Sequence, residues 1–238
     1  MGIVINPGVT MTAFGTVYYQ TVKNKDLHGQ VLSLETFFGN WVGEFVHPVQ
    51  KDLHHCHHLE NSYYLSYLAL QSMVFDWLSY TLLSGAYEIV LRELRCILEG
   101  LFAAYYVDVN YKVEDLAQKI QRLSVLEEKR MLLGKKVFEI SELKNWRDYY
   151  SLYKELSTYV HNSIKVIGNR IIQIGEDGFP QALEPQLDKK VFVSSAELWR
   201  KIVCAAIDLA IALFEELNVK ARFTNFDLLK VELFAVQE

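Results

Sequence analysis

From about residue 31 onward, apolar residues recur at the three- and four-residue spacing of helices with one buried face. A first helix is predicted over about 31–58, kinked or interrupted at Pro48. A second covers about 61–83 and stops near Ser84-Gly85; from 61 to 87 its stretch carries one charge, Asp76, which predicts a buried helix. The third, about 86–108 and capped by Ser84, is apolar nearly all round and is expected at the centre. Its charges, Glu88, Arg92, Arg95 and Glu99, form one narrow stripe in which Glu88 with Arg92 and Arg95 with Glu99 are i, i+4 pairs. A charge-rich fourth helix, about 113–133, ends before Gly134, and a fifth runs from Ser141 to about His161. Ser194 and Glu197 have the spacing of a capping box for a sixth helix ending at Leu217.

Two stretches lack that periodicity. Residues 1–29 contain β-prone Ile3–Ile5 and Thr16–Val22, separated by Pro7, Gly8 and Gly15, and read as an arm or short strands. Between the fifth and sixth helices, 163–193 holds Gly168, Gly175, Asp177-Gly178, Pro180 and Pro185. There Ile171–Ile174 and Val191–Val193 are expected to pair as a small hairpin. An apolar tail, Phe226 to Val236, is expected to pack back or to meet a partner. With no repeat and no linker rich in Gly, Ser or Pro, the expectation is an all-α, single-domain bundle of five to six helices over 31–238. An N-terminal arm at 1–30 precedes it, and minor β-prone pieces lie there and in 163–193.

Composition narrows the classes. Of the 238 residues, 51% are apolar, ample for a core. The net charge of −5 argues against DNA as a partner, because nucleic-acid binders concentrate basic residues. A membrane span at 61–87 is disfavoured by Asp76 at its centre, which costs about 3 kcal/mol on insertion, and by five Tyr. Cys56, Cys96 and Cys204 are odd in number and widely spaced, which points to a reducing, cytoplasmic setting, with Cys96 and Cys204 as small core residues. The N-terminus has no basic region ahead of its apolar residues, so no signal peptide is expected.

The most conspicuous cluster is His54-His55-Cys56-His57-His58. On a helix His54 and His58 lie one turn apart with His47 near the same stripe, a spacing at which neutral imidazoles share a metal such as zinc. No cofactor is demanded by this pattern: histidines at a helix C-terminus also simply favour the helix dipole. The Glu44-x-x-His47 spacing of di-iron bundles occurs once, without the second copy such a centre needs.

In the fifth helix, Arg147, Tyr150, Lys154, Ser157 and His161 share a narrow arc. The run Leu152-Tyr153-Lys154-Glu155-Leu156-Ser157-Thr158-Tyr159-Val160-His161 resembles the Tyr-x-x-Leu-Ser-x-x-Val-His signature of a family of uncharacterised helical proteins near the HEPN superfamily, and the run Tyr87 to Glu99 fits that family's earlier helix. The resemblance covers roughly 60–215. It implies a helical bundle, often a homodimer. Active members are metal-independent ribonucleases with an Arg followed, after four to six residues, by a His; others bind nucleotides or protein partners. Here no Arg stands at that spacing; Lys154 does, with six residues between it and His161, but lacks arginine's planar clamp.

Three readings follow. The first is a HEPN-like binding or assembly module without catalysis. The second is a divergent ribonuclease or toxin acting on RNA through His161 and Lys154, with Arg92, Arg95, Tyr153 and Ser157 holding the anion. The third is a metal-binding bundle using His47, His54 and His58. P-loop, Gly-x-Ser-x-Gly and Gly-x-Gly-x-x-Gly motifs are absent.

Overall fold

The computed structural model describes residues 7–52, 57–130, 134–139, 143–161, 173–174, 180–181 and 187–217; within these, side chains are described except at 7–13, 42–52, 57–58, 160–161 and the two strand pieces. The described residues form nine helical segments: α1 Pro7–Lys23, α2 Lys25–Asp52, α3 His57–Glu60, α4 Tyr63–Leu83, α5 Tyr87–Asn110, α6 Leu116–Glu128, α7 Lys135–Glu139, α8 Trp146–His161 and α9 Lys189–Glu216. The fold is all-α, with more helices than the periodicity predicts.

The extra helices have local causes. Thr16–Val22, expected as a strand, lies in α1. There Val17 is buried, the Thr21 hydroxyl bonds back to the Val17 carbonyl (2.8 Å), and Tyr18 rests on Tyr80 of α4. Tertiary packing overrides the β preference of Thr, Val and Tyr. Ile3–Ile5 lies outside the described residues. The helix expected from about 31 begins at Lys25, where Asn24 Oδ1 accepts the Leu27 amide (3.3 Å), and continues past Pro48 to Asp52. α7 is a five-residue segment whose Val137 and Phe138 are fully buried. It is too short to show a helical period.

Caps also differ from expectation. Ser84 does not cap α5: its hydroxyl donates back to the Tyr80 carbonyl (2.8 Å), and α5 starts after Ala86 with no side-chain cap. Asp115 and Gln118 cap α6 reciprocally. The last long helix starts five residues before Ser194, capped by Asp188, whose carboxylate accepts the Lys190 and Val191 amides (2.9 and 3.1 Å). Glu197 is therefore mid-helix and pairs with Arg200 (3.4 Å), which is 3% exposed. Val191–Val193 sits in that helix, so the expected hairpin partner is different: Gln173–Ile174 pair antiparallel with Pro180–Gln181.

α5 occupies the centre, as its apolar circumference predicts. Its main neighbours are α9, α4 and α8. It runs parallel to α9: Tyr87 meets Phe192 at one end, and Lys112 Nζ bonds the Glu216 carbonyl (2.9 Å) at the other. α4 and α8 run the opposite way beside it, bringing Ser62 to Asp108 and Tyr153 to Arg95. Two aromatic clusters fill the interior. Phe38, Phe75 and Trp199 join α2, α4 and α9 at centroid separations of 3.9 and 5.3 Å; Phe102, Phe138 and Tyr149 join α5, α7 and α8. Burying each such ring stabilises by about 1.5–3 kcal/mol. At Gly100 the Tyr67 phenol occupies the space a Cβ would need, so any larger residue there would have to displace that ring.

Candidate functional site

The stripe on α5 and the core face of α8 meet at Arg95, Glu99 and Tyr153. α8 turns Tyr149, Leu152, Tyr153 and Leu156 inward, the i, i+3, i+4, i+7 set of a buried face. That places the Tyr153 hydroxyl between the two α5 charges: it accepts from an Arg95 guanidinium nitrogen (2.7 Å) and donates to Glu99 Oε1 (3.1 Å). Arg95 and Glu99 also pair directly at 3.7 Å, and the guanidinium carbon lies 4.9 Å from the Tyr153 ring centroid. Glu99 Oε1 further accepts the Gly134 amide (3.3 Å), at a backbone angle of +59° that favours glycine. Burial lowers the Arg95 pKa, but the Tyr153 hydrogen bond and the Glu99 charge outweigh it and hold the guanidinium above its ordinary range. The Arg95 Nε is buried without a hydrogen-bond partner.

This network joins Arg95 and Tyr153, two of the residues expected to hold an anion, and leaves the others apart. Arg92 is exposed and bonds the adjacent Glu93 (3.2 Å). Ser157 spends its hydroxyl on the Tyr153 carbonyl one turn back (2.7 Å). Lys154 is exposed, its ammonium 5.1 Å from the Tyr150 ring centroid. His161 closes α8, and its side chain lies outside the described residues, as do those of His47, His54 and His58. Among the described residues no group of three or more His, Cys, Asp or Glu is placed to hold a metal ion. Cys96, expected in the core, faces outward on α5, where partial burial and the Glu93 carboxylate push its thiol up, away from activation as a nucleophile.

Two polar clusters carry more structure than the sequence signals. Asp108, in the last turn of α5, is the centre of one. Its Oδ1 accepts the Tyr63 amide and the Lys119 ammonium (both 2.9 Å); its Oδ2 accepts the Tyr64 amide (2.9 Å) and the Ser62 hydroxyl (2.5 Å). Lys119 also donates to the Asn61 carbonyl (2.8 Å), and both side chains are 1% exposed. A carboxylate from one helix thus closes the positive end of another. The second cluster ties α8 to α9: Tyr149 bonds Asp208 closely, and Asn145 donates to the same phenol (3.1 Å). Burial and the Asp208 carboxylate push the Tyr149 pKa well up. Sequence spacing hides both, because Asp108 and Lys119 are 11 residues apart and Tyr149 and Asp208 are 59 apart.

The feature the sequence reading missed outright is on α4. Tyr64, Leu65, Leu68, Phe75, Leu78 and Leu82 face the core, as expected of a buried helix. The opposite side is bare: Leu70, Met73, Trp77 and Tyr80 are 57%, 67%, 46% and 57% exposed, with Ala69 and Asp76 exposed beside them. A helix apolar on every side shows no period, so the sequence offers no sign of which side stays open. No described helix is long and apolar enough to cross a membrane. Comparison with protein-family models, with curated proteins and with solved structures finds no match to this chain.

Proposed function

We propose that this chain is a HEPN-like helical module that works by binding or assembly and not by catalysis. The observation that carries this reading is the open apolar face of α4. At 100° per residue, Leu70, Met73, Trp77 and Tyr80 fall within an arc of about 80°. Scattered exposed apolar residues are ordinary; a contiguous row on one helix marks a contact surface. The closure of Arg95 on Tyr153 and Glu99 supports the same reading, since a guanidinium whose charge is already paired from within has less to offer a phosphate.

The test is incubation of the purified full chain with total RNA in excess chelator. No cleavage is the expected result. Cleavage that disappears in His161→Ala would overturn the proposal and establish the metal-independent ribonuclease reading in its place.

A further inference from the structure

We infer that the open face of α4 is a self-pairing surface, covered in solution by the same face of a second copy of this chain. The inference rests on the binding-module reading above and names its partner. Leu70, Met73, Trp77 and Tyr80 follow the spacing i, i+3, i+7, i+10, the seam pattern along which two helices interlock side chains. That pattern is complementary to itself: each helix supplies large knobs and, beside Ala69 and Ser66, the room between them.

Charge selects the same occupant. The exposed row contains one ionised group, Asp76, at its edge, and no Lys or Arg. A basic partner would find a single carboxylate to answer it. A second copy finds four apolar side chains at matched spacing and no charge in the seam, which suits an isologous two-fold contact.

The area is sufficient. Four side chains of this size, each about half to two thirds open, present about 400–450 Å² per copy. Pairing removes twice that, and the surface extends onto α1, where Tyr18 lies tilted against Tyr80 at 5.3 Å and the adjacent Tyr19, with the Lys23 ammonium 4.2 Å from its ring centroid at the rim, is 60% exposed. The total reaches the roughly 1,000 Å² at which contacts between folded proteins become specific. Trp and Tyr, both present in the row, are also the side chains that dominate such contacts.

Sedimentation velocity on the full chain across a concentration series tests this. The wild type should sediment as a dimer, and Met73→Glu should raise the dissociation constant about a hundredfold or more. Its far-UV circular dichroism and melting temperature should match those of the monomer. Leu70→Gln, a milder change at a 57% exposed site, gives a second reading should the glutamate variant misfold. A wild type that stays monomeric at every concentration overturns the inference, as does a dimer unaffected by both substitutions. Binding of the apolar dye ANS separates the two levels. A monomer whose dye binding is lost in Leu70→Gln keeps α4 as a contact face for another partner or for the Phe226–Val236 tail; a monomer that binds no dye removes the binding-module reading as well.

Discussion

Replacing Asp108 by Asn changes one oxygen to an amide and keeps the shape, yet it should be the most damaging conservative change in this protein. The carboxylate receives four donors: the Tyr63 and Tyr64 amides, the Ser62 hydroxyl and the Lys119 ammonium. An asparagine oxygen serves two of them at most, and its NH₂ then points at the remaining donors. Lys119, 1% exposed, keeps only the Asn61 carbonyl as a partner and becomes a buried charge without a counter-ion. Breaking a buried pair from one side costs about 3–5 kcal/mol. Loss of the anion at the α4 N-terminus adds about 0.3–1 kcal/mol. We expect a total of about 4 kcal/mol, against a typical domain stability of about 5–15 kcal/mol. For a chain of this length that lowers the melting temperature by about 10 °C.

Urea unfolding followed at 222 nm measures the loss. Lys119→Met should cost less, because three donors and the helix end still surround the Asp108 carboxylate. The Asp108→Asn, Lys119→Met double variant should fall well short of the sum, since the stranded ammonium is gone. If Asp108→Asn loses less than about 1 kcal/mol, or the two costs simply add, the pair does not hold α4, α5 and α6 together.

Two further expectations concern the tyrosines. Tyr153→Phe removes both hydrogen bonds linking Arg95 and Glu99 to α8 while keeping the ring over the guanidinium; it should cost about 1.5–3 kcal/mol in urea unfolding, and a change near zero would show that the network contributes only packing. At alkaline pH, stability should fall: Tyr64, Tyr67 and Tyr149 all have pKa values raised first by burial, so the native state holds protons that the unfolded chain releases above pH 10. Their contribution is fully present below pH 10 and is lost as pH climbs through the raised values. A melting curve flat beyond pH 10, with tyrosinate absorbance appearing before unfolding, would contradict it, and Tyr149→Phe should lessen the slope.

How much of this could be read beforehand differs from element to element. α4 and α5 were legible almost to the residue because their apolar runs are long and end at Ser84-Gly85. α1 was misread because Thr, Val and Tyr carry β preference, and only contact with α4 makes them helical. The start of α9 was misplaced because Ser194 and Glu197 have the spacing of a cap, whereas Asp188 performs it and Glu197 is used by Arg200. Of the candidate site, the pairing of Arg95 with Glu99 followed from i, i+4 spacing. Tyr153 as their common partner did not, since it arrives from 54 residues away.

By itself, the order of residues determined what local rules govern: an all-α chain, set by the period of apolar positions, and a central helix at α5, set by its apolar circumference. Tertiary structure alone decided what depends on neighbours distant in sequence. It spent Arg95 on an internal network, gave α4 its cap from Asp108, and left one side of an apolar helix uncovered. Periodicity reports a face only when the faces differ. Where a helix is apolar all round, the side that remains open is chosen by what packs against it.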